Sequence, residues 1–517
     1  MNADIQAGYT FDEESVELGV LVDQDGPQPE VKIRISLSML NRHGLVAGAT
    51  GTGKTKTLQL MAEQISRAGV PVFAADIKGD LSGIAIPGAA SEKLLQRTEG
   101  IGQDFVPAGC PVEFYALGGQ GTGIPLRTTV SSFGPLLLSK VLGLNETQES
   151  SLSLVFHYAD TNGLLLLDLE DLTAVLKFLT SDDGKAELAD IGGLARSTAG
   201  VILREIAALA AQGGEAFFGE PEFETADLLK IAGDGQGLIS LLELPNLQDR
   251  PALFSTFLMW LLADLYQELP EAGDLDKPKL VFFFDEAHLL FADASKAFLS
   301  SIEQTVRLIR SKGVGVFFVT QTPKDVPETV LAQLGSRVQH QLRAHTPNDA
   351  KALKATVNTY PRSDYDLAQL LQQLGIGEAV VTVLNPKGAP TPVAWTRMRA
   401  PQASMDPLNP TAMAAGVAAS QLQAKYGAEI DRESAYELLT ARFEATAKAE
   451  AARQQQAAEP ESGSERPATA PRPRSESRSA RGEDSLIESL SKNTMVRQVA
   501  RTAAREVTRT LMGLLKR

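Results

Sequence analysis

Cysteine is almost absent from this chain: among its 517 residues, Cys110 is the only one. No disulfide can form within the chain, so a disulfide framework does not hold the fold together. A lone thiol is more often a buried packing residue than a nucleophile, and we assign Cys110 no chemistry.

The sequence also lacks a secretory signal and a run of apolar residues long enough for a membrane. Residues 1–19 have neither a basic start nor an apolar centre, and a secretory signal has both. The most apolar long stretch, residues 253–266, contains Asp264 and is too short to cross a bilayer. We therefore expect no integral membrane segment and a reducing, cytoplasmic setting.

Basic residues are in deficit, because 49 Lys and Arg face 64 Asp and Glu and give a formal charge of −15. This balance argues against an outer surface that is coated by nucleic acid. The deficit lies in residues 1–400, with 32 basic and 49 acidic residues, whereas residues 401–517 hold 17 and 15. Contact with double-stranded DNA would therefore be local, through a basic pore lining or the C-terminal tail.

What the chain does have is a phosphate-binding motif: residues 48–55 read GATGTGKT and match G-x-x-x-x-G-K-[ST]. A short apolar strand, residues 45–47, precedes the motif, and apolar residues at helical spacing follow it. Glycines let successive backbone N–H groups turn toward one anion, and the helix adds its positive end. A chance Gly/Thr loop before a helix is the alternative, and the full pattern disfavours it. The predicted ATP-binding residues are Gly48, Ala49, Thr50, Gly51, Thr52, Gly53, Lys54 and Thr55.

Within this motif, Lys54 is expected to reach the β- and γ-phosphates, and the Thr55 hydroxyl is expected to ligate Mg²⁺. A second apolar run, LVFFF at residues 280–284, ends in Asp285 and Glu286. With a P-loop upstream, this pair predicts a nucleotide hydrolase in which Asp285 holds Mg²⁺ and Glu286 positions and deprotonates the attacking water. A buried strand that is merely capped by two acids is the alternative.

Two further apolar runs end in polar residues. Asp76 follows residues 70–75 and could face the γ-phosphate, because ligands bind at the carboxyl ends of strands in open α/β sheets. Gln321 follows residues 313–320 and could sense the γ-phosphate or orient water. In both cases the alternative is a side chain that only caps its loop.

Arg307 and Arg310 lie one turn apart on a predicted helix, residues 295–312. Exposed arginines on such a helix are common. An arginine offered to a neighbouring subunit's nucleotide needs the same exposure, and both interpretations stay open.

The order of strands and helices predicts an α/β fold: a RecA-like P-loop core with a mostly parallel sheet and an extra strand between the P-loop strand and the Asp285–Glu286 strand. The predicted divisions are a short β-rich segment (1–40), the core (41–100 and 236–400), a mostly helical insertion (101–235), a helical arm (401–456), a disordered linker (457–482) and a basic amphipathic helix (483–517).

The predicted C-terminal helix carries one basic stripe. Arginines recur every four residues at positions 497, 501, 505 and 509, opposite apolar residues, and a capping box begins at Ser485. Such a helix could dock a protein partner or oligomerise. Contact with DNA or an anionic membrane is the alternative.

The combination of these motifs resembles the HerA-like ATPases of the HerA/FtsK superfamily, and most closely their bacterial YjgR-type branch. The similarity covers about residues 40–400, through GATGTGKT, FAADIKGDLSG, FFFDEAH, VRLIRSKGVGVFFVTQTPKDVP, VLAQLGSRVQHQLR and GEAVV.

This resemblance implies a homo-oligomeric ring of six subunits with ATP and Mg²⁺ held between neighbours. Lys54, Thr55, Asp285 and Glu286 then carry the hydrolysis roles given above, Gln321 matches the sensor position, and Arg310 matches the arginine offered in trans. We expect an ATP-hydrolysing helicase or translocase. An ATPase switch or protein-remodelling factor that does not act on DNA is the alternative.

Overall fold

The structure, a computed structural model, describes residues 2–188, 192–244, 251–273, 275–291 and 296–458. The chain divides into two compact units, residues 1–449 and 450–517. The described part of the second unit, residues 450–458, is the end of one helix. The predicted linker from residue 459 onward and the predicted basic helix with its capping box and arginine stripe lie outside the described residues.

Among the described residues, twelve strands form one sheet. In chain order they are β1 (Ser15–Asp23), β2 (Gly26–Ser36), β3 (Gly44–Ala47), β4 (Val72–Asp76), β5 (Val112–Leu117), β6 (Ile124–Leu126), β7 (Ile239–Glu243), β8 (Leu280–Phe284), β9 (Val314–Thr320), β10 (Ser336–Gln339), β11 (Glu378–Thr382) and β12 (Ala394–Met398).

The spatial order of the strands is β2-β1-β12-β11-β10-β3-β9-β8-β4-β7-β5-β6. In this spatial order, all neighbouring pairs from β10 to the β6 end are parallel, and all neighbouring pairs from the β2 end to β10 are antiparallel. β9 lies between β3, the P-loop strand, and β8, the strand that Asp285 and Glu286 follow. β9 is therefore the predicted extra strand, and Gln321 follows it directly. The predicted mostly parallel P-loop fold is confirmed.

The central strands are buried on both faces, because helices cover each side of the parallel part of the sheet. Every residue of β4, β7, β8 and β9 is buried. Aromatic rings stack across these strands: the centroids of Phe73 and Phe282 lie 5.0 Å apart, and those of Phe283 and Phe317 lie 5.3 Å apart. This rigid centre fixes the positions of the loops at its carboxyl edge.

The helices are α1 (Asn2–Gly8), α2 (Lys54–Arg67), α3 (Glu92–Glu99), α4 (Val130–Val141), α5 (Glu146–Thr161), α6 (Leu169–Thr180), α7 (Asp182–Glu187), α8 (Arg196–Ala211), α9 (Pro251–Glu268), α10 (His288–Phe291), α11 (Lys296–Ile309), α12 (Glu328–Leu331), α13 (Pro347–Val357), α14 (Leu367–Gln373), α15 (Pro410–Ala419), α16 (Gln421–Tyr426) and α17 (Ala435–Ala458). Within the described residues, none of them combines the length and the apolarity that a membrane crossing needs.

The N-terminal β element does not stand apart. β1 pairs with β12, and the register places Val20 opposite Arg397. β12 itself has five residues that alternate between buried and partly buried positions. The N-terminal strands therefore form one edge of the same sheet.

The segment at residues 101–235, predicted to be mostly helical, also contributes two strands to the sheet, β5 and the three-residue β6. Aromatic side chains of this segment pack on the core. The Phe217 ring lies 5.8 Å from that of Phe257 and 6.0 Å from that of Trp260, and both partners belong to α9. The insertion and the core thus share one hydrophobic interior.

The predicted arm is broken into three helices, α15, α16 and α17. Tyr426, at the end of α16, is fully buried, and its hydroxyl donates to Asp227 Oδ2 at 2.5 Å. The Lys425 ammonium pairs with the same carboxylate at 2.9 Å. The first two helices are therefore fastened to the β5–β6 end of the sheet, with α16 packed against β6.

Candidate functional site

The P-loop connects β3 to α2 and lies at the carboxyl edge of the sheet. Its entrance is fixed by both neighbouring strands: Gly48 N–H donates to Thr320 O at 3.2 Å, and Ala49 N–H donates to Gln341 O at 2.8 Å. Gly51 and Gly53 have φ angles of +80° and +113°, in the left-handed region that side chains disfavour. The loop therefore curls into a cradle whose open side faces the first turn of α2.

Lys54 begins α2 and folds back over this cradle. Its ammonium donates to the carbonyl oxygen of Ala49 at 3.2 Å, and the residue is 6% exposed. Burial lowers the pKa of Lys54, whereas the charges of Glu286 and Asp285 raise it and that of Lys78 lowers it further. The P-loop lysine and the two acids that follow β8 therefore share one electrostatic environment, although 230 residues separate them in sequence.

The P-loop is braced by a turn that sequence reasoning did not assign to it. Gly377 N–H donates to Thr52 O at 3.0 Å, and the Arg97 guanidinium holds Gly377 O at 2.8 Å. A Cβ at Gly53 would lie 3.3 Å from the Gly377 backbone. The GEAVV stretch marked this turn, but its proximity to the P-loop arises only from the pairing of β10 with β11.

His340 joins the same brace. Its Nδ1 lies 2.8 Å from Glu378 O and therefore carries the proton, so its Nε2 accepts from the Thr57 hydroxyl at 2.9 Å. Burial lowers the pKa of His340 to about 4, which keeps the ring neutral. A neutral histidine thus ties α2 to the β11 strand behind the cradle.

Asp285 and Glu286 follow β8 directly and point into the site. Asp285 is 1% exposed; its Oδ1 accepts from Glu286 N–H at 2.9 Å, while its Oδ2 is buried without a hydrogen-bond partner. Burial, and then the charge of Glu286, raise the pKa of Asp285 to about 7. Glu286 has a φ of +46°, a conformation that a residue other than glycine rarely adopts and that clusters at functional sites.

Three side chains surround the Glu286 carboxylate. Lys78 forms an ion pair with Oε1, His288 Nδ1 lies 3.1 Å from Oε2, and Gln321 Nε2 lies 3.5 Å from Oε2. Burial alone would raise the pKa of Glu286, but the Lys78 hydrogen bond and charge outweigh it and lower that pKa. Glu286 is therefore an ionised carboxylate, the state that accepts a proton.

Lys78 is the residue of this site that sequence reasoning missed. It lies in the FAADIKGDLSG stretch that carried part of the resemblance, so a signal existed, but no role followed from its spacing. The Glu286 pair raises the pKa of Lys78 despite its partial burial, and the ammonium stays charged.

Asp76 shapes the loop that presents Lys78. Its Oδ1 accepts from Gly79 N–H at 2.7 Å and Asp80 N–H at 3.3 Å, and its Oδ2 accepts from Leu81 N–H at 2.7 Å. Burial raises the pKa of Asp76 to about 6. These contacts fit the loop-capping alternative, because the carboxylate oxygens are engaged by the chain's own backbone.

Arg310 lies away from its own P-loop. It begins the turn Arg310–Lys312 that follows α11, and its charge acts on His43, which directly precedes β3. This is the amino edge of the sheet, whereas Gly48 and Lys54 lie at the carboxyl edge. Arg310 could therefore reach a nucleotide only if that nucleotide belonged to another copy of the chain.

The residues present fit Mg²⁺ bound together with a nucleotide. Asp285 offers a buried carboxylate oxygen without a partner, and Thr55 lies in the first turn of α2. Among the described residues, no group of three His, Cys, Asp or Glu side chains is arranged to hold a metal. This suits Mg²⁺, which takes few protein ligands and completes its shell with water and phosphate oxygens.

Comparison with known proteins shows the family to which this chain belongs. A model of the family described as helicase HerA-like C-terminal matches residues 22–517. The chain is 24% identical over 378 residues to the DNA double-strand break repair helicase HerA of Sulfurisphaera tokodaii. The aligned region covers 72% of this chain and 67% of that protein. It is also 32% identical over 169 residues to a probable helicase of Methanocaldococcus jannaschii. That aligned region covers 29% of this chain and 31% of the relative, which is less than a third of its length.

Among solved structures, the bacterial conjugative coupling protein TrwB is similar in fold. Its unbound form has a TM-score of 0.52 and 16% identity, with 79% of this chain and 93% of that chain covered. TrwB in complex with ADP and Mg²⁺ matches with a TM-score of 0.52 and 15% identity, over the same shares of both chains. With the P-loop, the Asp285–Glu286 strand and a family match over nearly the whole chain, this protein belongs to the helicase HerA-like C-terminal family.

Proposed function

We propose that this chain is an ATP-hydrolysing motor that works in a ring of six copies and translocates along double-stranded DNA. The observation that carries the proposal is that Lys54, on the P-loop, interacts electrostatically with Asp285 and Glu286, which follow a strand far away in sequence. This arrangement brings together a cation that binds phosphate (Lys54), a carboxylate that binds the metal (Asp285) and a general base (Glu286).

Each side chain has a distinct task in hydrolysis. The P-loop amides and Lys54 bind the phosphates, and the P-loop holds them at the positive end of α2. Mg²⁺, held by Thr55 and Asp285, would neutralise charge that develops on the phosphate oxygens. The Glu286 carboxylate accepts the proton of the attacking water, and Gln321, which already contacts that carboxylate, orients the same water.

The ring is supported by the position of Arg310. Its distance from its own P-loop suits an arginine that completes the site of the next subunit, where it would stabilise the charge of the transition state. A closed ring repeats one head-to-tail interface, so one such contact could present Arg310 of every copy to the P-loop of the next.

We expect Arg310→Ala and Lys54→Ala proteins to be separately inactive and to regain activity when their subunits are mixed. Trans arginines contribute about 10³–10⁵ in rate, so the Arg310→Ala protein should fall below detection. The Lys54→Ala protein should be inactive for a different reason, because its own P-loop binds ATP poorly. In mixed rings, about a quarter of the sites would pair an intact P-loop with an intact Arg310 from its neighbour. ATPase rates of equimolar mixtures, after subunit exchange, test this. Mixed rings without any recovery would exclude a trans role for Arg310.

DNA as the substrate is supported by the family and by the relative from Sulfurisphaera tokodaii, which is named for DNA double-strand break repair. The net charge of −15 favours the alternative, an ATPase switch or protein-remodelling factor that does not act on DNA. The C-terminal segment, with its slight basic excess, would then dock a protein partner.

The ATPase rate with and without duplex DNA, measured across a salt series, separates the two functions. We expect duplex DNA to stimulate hydrolysis several-fold at low salt and the apparent DNA affinity to fall steeply as salt rises, because counterions are released on binding. An ATPase rate that duplex DNA does not change at any salt concentration would instead support the remodelling function. In that case the DNA-free rate should also be unchanged by deletion of residues 484–517.

A further inference from the structure

The ion pair between Lys78 and Glu286 carries an inference beyond hydrolysis itself. Lys78 lies on the loop after β4, and its side chain is 38% exposed, whereas that of Glu286 is 5% exposed. The loop backbone is held by the three hydrogen bonds to Asp76. The long lysine stem is therefore the movable part of this pair, and the carboxylate is the fixed part.

In this arrangement Glu286 has little capacity left for water. Oε1 is taken by the Lys78 ammonium, and Oε2 faces both His288, at 3.1 Å, and Gln321, at 3.5 Å. A general base must reach the proton it accepts at hydrogen-bond distance. Departure of the Lys78 ammonium would free Oε1 and make the carboxylate a stronger base toward water.

The Lys78 ammonium also lies within electrostatic reach of the phosphate site. It acts on Lys54, the lysine that folds over the P-loop cradle. A terminal phosphate beside Lys54 would bring negative charge near Lys78 and compete with Glu286 for it. The same ammonium cannot satisfy both anions fully, because both approach it in a partly buried site where charge interactions are strong.

We propose that Lys78 exchanges Glu286 for the terminal phosphate of a bound nucleoside triphosphate, and so releases the base only when that phosphate is present. This inference rests on the proposed function, since it assigns Lys78 a positioning role in the same site. ADP, which has no terminal phosphate, would leave the Lys78–Glu286 pair closed.

A double-mutant cycle on nucleotide binding tests the exchange. The affinities for a non-hydrolysable ATP analogue and for ADP are measured by calorimetric titration with Mg²⁺. The variants are Glu286→Gln, Lys78→Met and the double substitution. Lys78→Arg, alone and with Glu286→Gln, keeps a cation at position 78.

Breaking the pair in the free protein should make triphosphate binding easier. We expect Glu286→Gln to bind the analogue about three- to tenfold more tightly than the unchanged protein. ADP affinity should not change. This gain in affinity for the analogue should disappear when Glu286→Gln is combined with Lys78→Met, and it should return when Glu286→Gln is combined with Lys78→Arg.

A second explanation makes a different prediction in the same cycle. If Glu286→Gln strengthens binding only because a negative charge near the phosphate is removed, the gain persists undiminished in the Lys78→Met protein. That result, or no gain for Glu286→Gln at all, overturns the exchange.

Lys32→Met is the matched control. Lys32 is 35% exposed and pairs with Glu17 at 3.1 Å on the β1–β2 edge, so it resembles Lys78 in exposure and partner but lies in another part of the sheet. Its substitution should leave both affinities unchanged. If the unchanged protein does not bind the analogue, the proposed function fails; if it binds and the cycle is additive, only the exchange fails.

Discussion

Lys54→Ala should weaken ATP binding at least about a hundredfold, which corresponds to the loss of two charge-assisted hydrogen bonds to phosphate. Lys54 is the P-loop's own cation, and the structure holds it over the cradle against Ala49 O. Titration with a fluorescent ATP analogue measures the effect.

The fold should survive this substitution. Burial disfavours the charged form of Lys54, so removal of the ammonium relieves a cost rather than breaking a needed contact. The unfolding temperature should therefore stay the same or rise slightly. Lys177→Ala, at an exposed position of α6, serves as the control and should bind ATP normally. Unchanged ATP affinity in Lys54→Ala would remove the P-loop assignment.

Glu286→Gln should bind ATP and stop turnover, with a loss of about 10²–10⁴ in kcat, the usual contribution of a general base. Glutamine matches glutamate in size and can adopt the same backbone angle, so the φ of +46° adds no new difficulty. It accepts hydrogen bonds but does not take up a proton from water. Single-turnover hydrolysis and nucleotide binding, measured on the same preparation, separate the two steps.

Glu243→Gln offers a matched control for that experiment. Glu243 is a buried carboxylate at the same edge of the sheet, paired in register with Asp76, and it contacts neither Glu286 nor Lys54 in the described contacts. Burial, and then the charges of Asp76 and Asp80, raise its pKa to about 8. Turnover should persist in Glu243→Gln. A normal hydrolysis rate in Glu286→Gln would show that another group activates the water.

The parts of this site that could be predicted are those specified by residues that are contiguous in sequence. GATGTGKT and the run that ends in Asp285 and Glu286 each specify a strand and the loop at its end, so local pattern and chemistry agree. Their mutual approach could also be predicted, because parallel strands bring their carboxyl ends to one edge of a sheet. β9 between β3 and β8 follows from the same reasoning.

The parts that could not be predicted depend on pairings between distant segments. Gly377 reaches Thr52 because β11 lies beside β10. β12 is recognised as a strand through its pairing with β11 and β1. Lys78 illustrates the same limit within a motif. Its neighbours in sequence do not show that its ammonium meets Glu286, since that contact joins loops after two different strands.

The outer strands of the sheet have a consequence for how copies of the chain could associate. β2, at one end, carries Pro27 and Pro29, which have no N–H, together with Lys32 and Arg34. β6, at the other end, has three residues, one of them Pro125, and α16 packs against it. Prolines, charges and short strands are the devices by which natural proteins prevent β-aggregation. These features oppose extension of the sheet into a continuous ribbon by neighbouring copies.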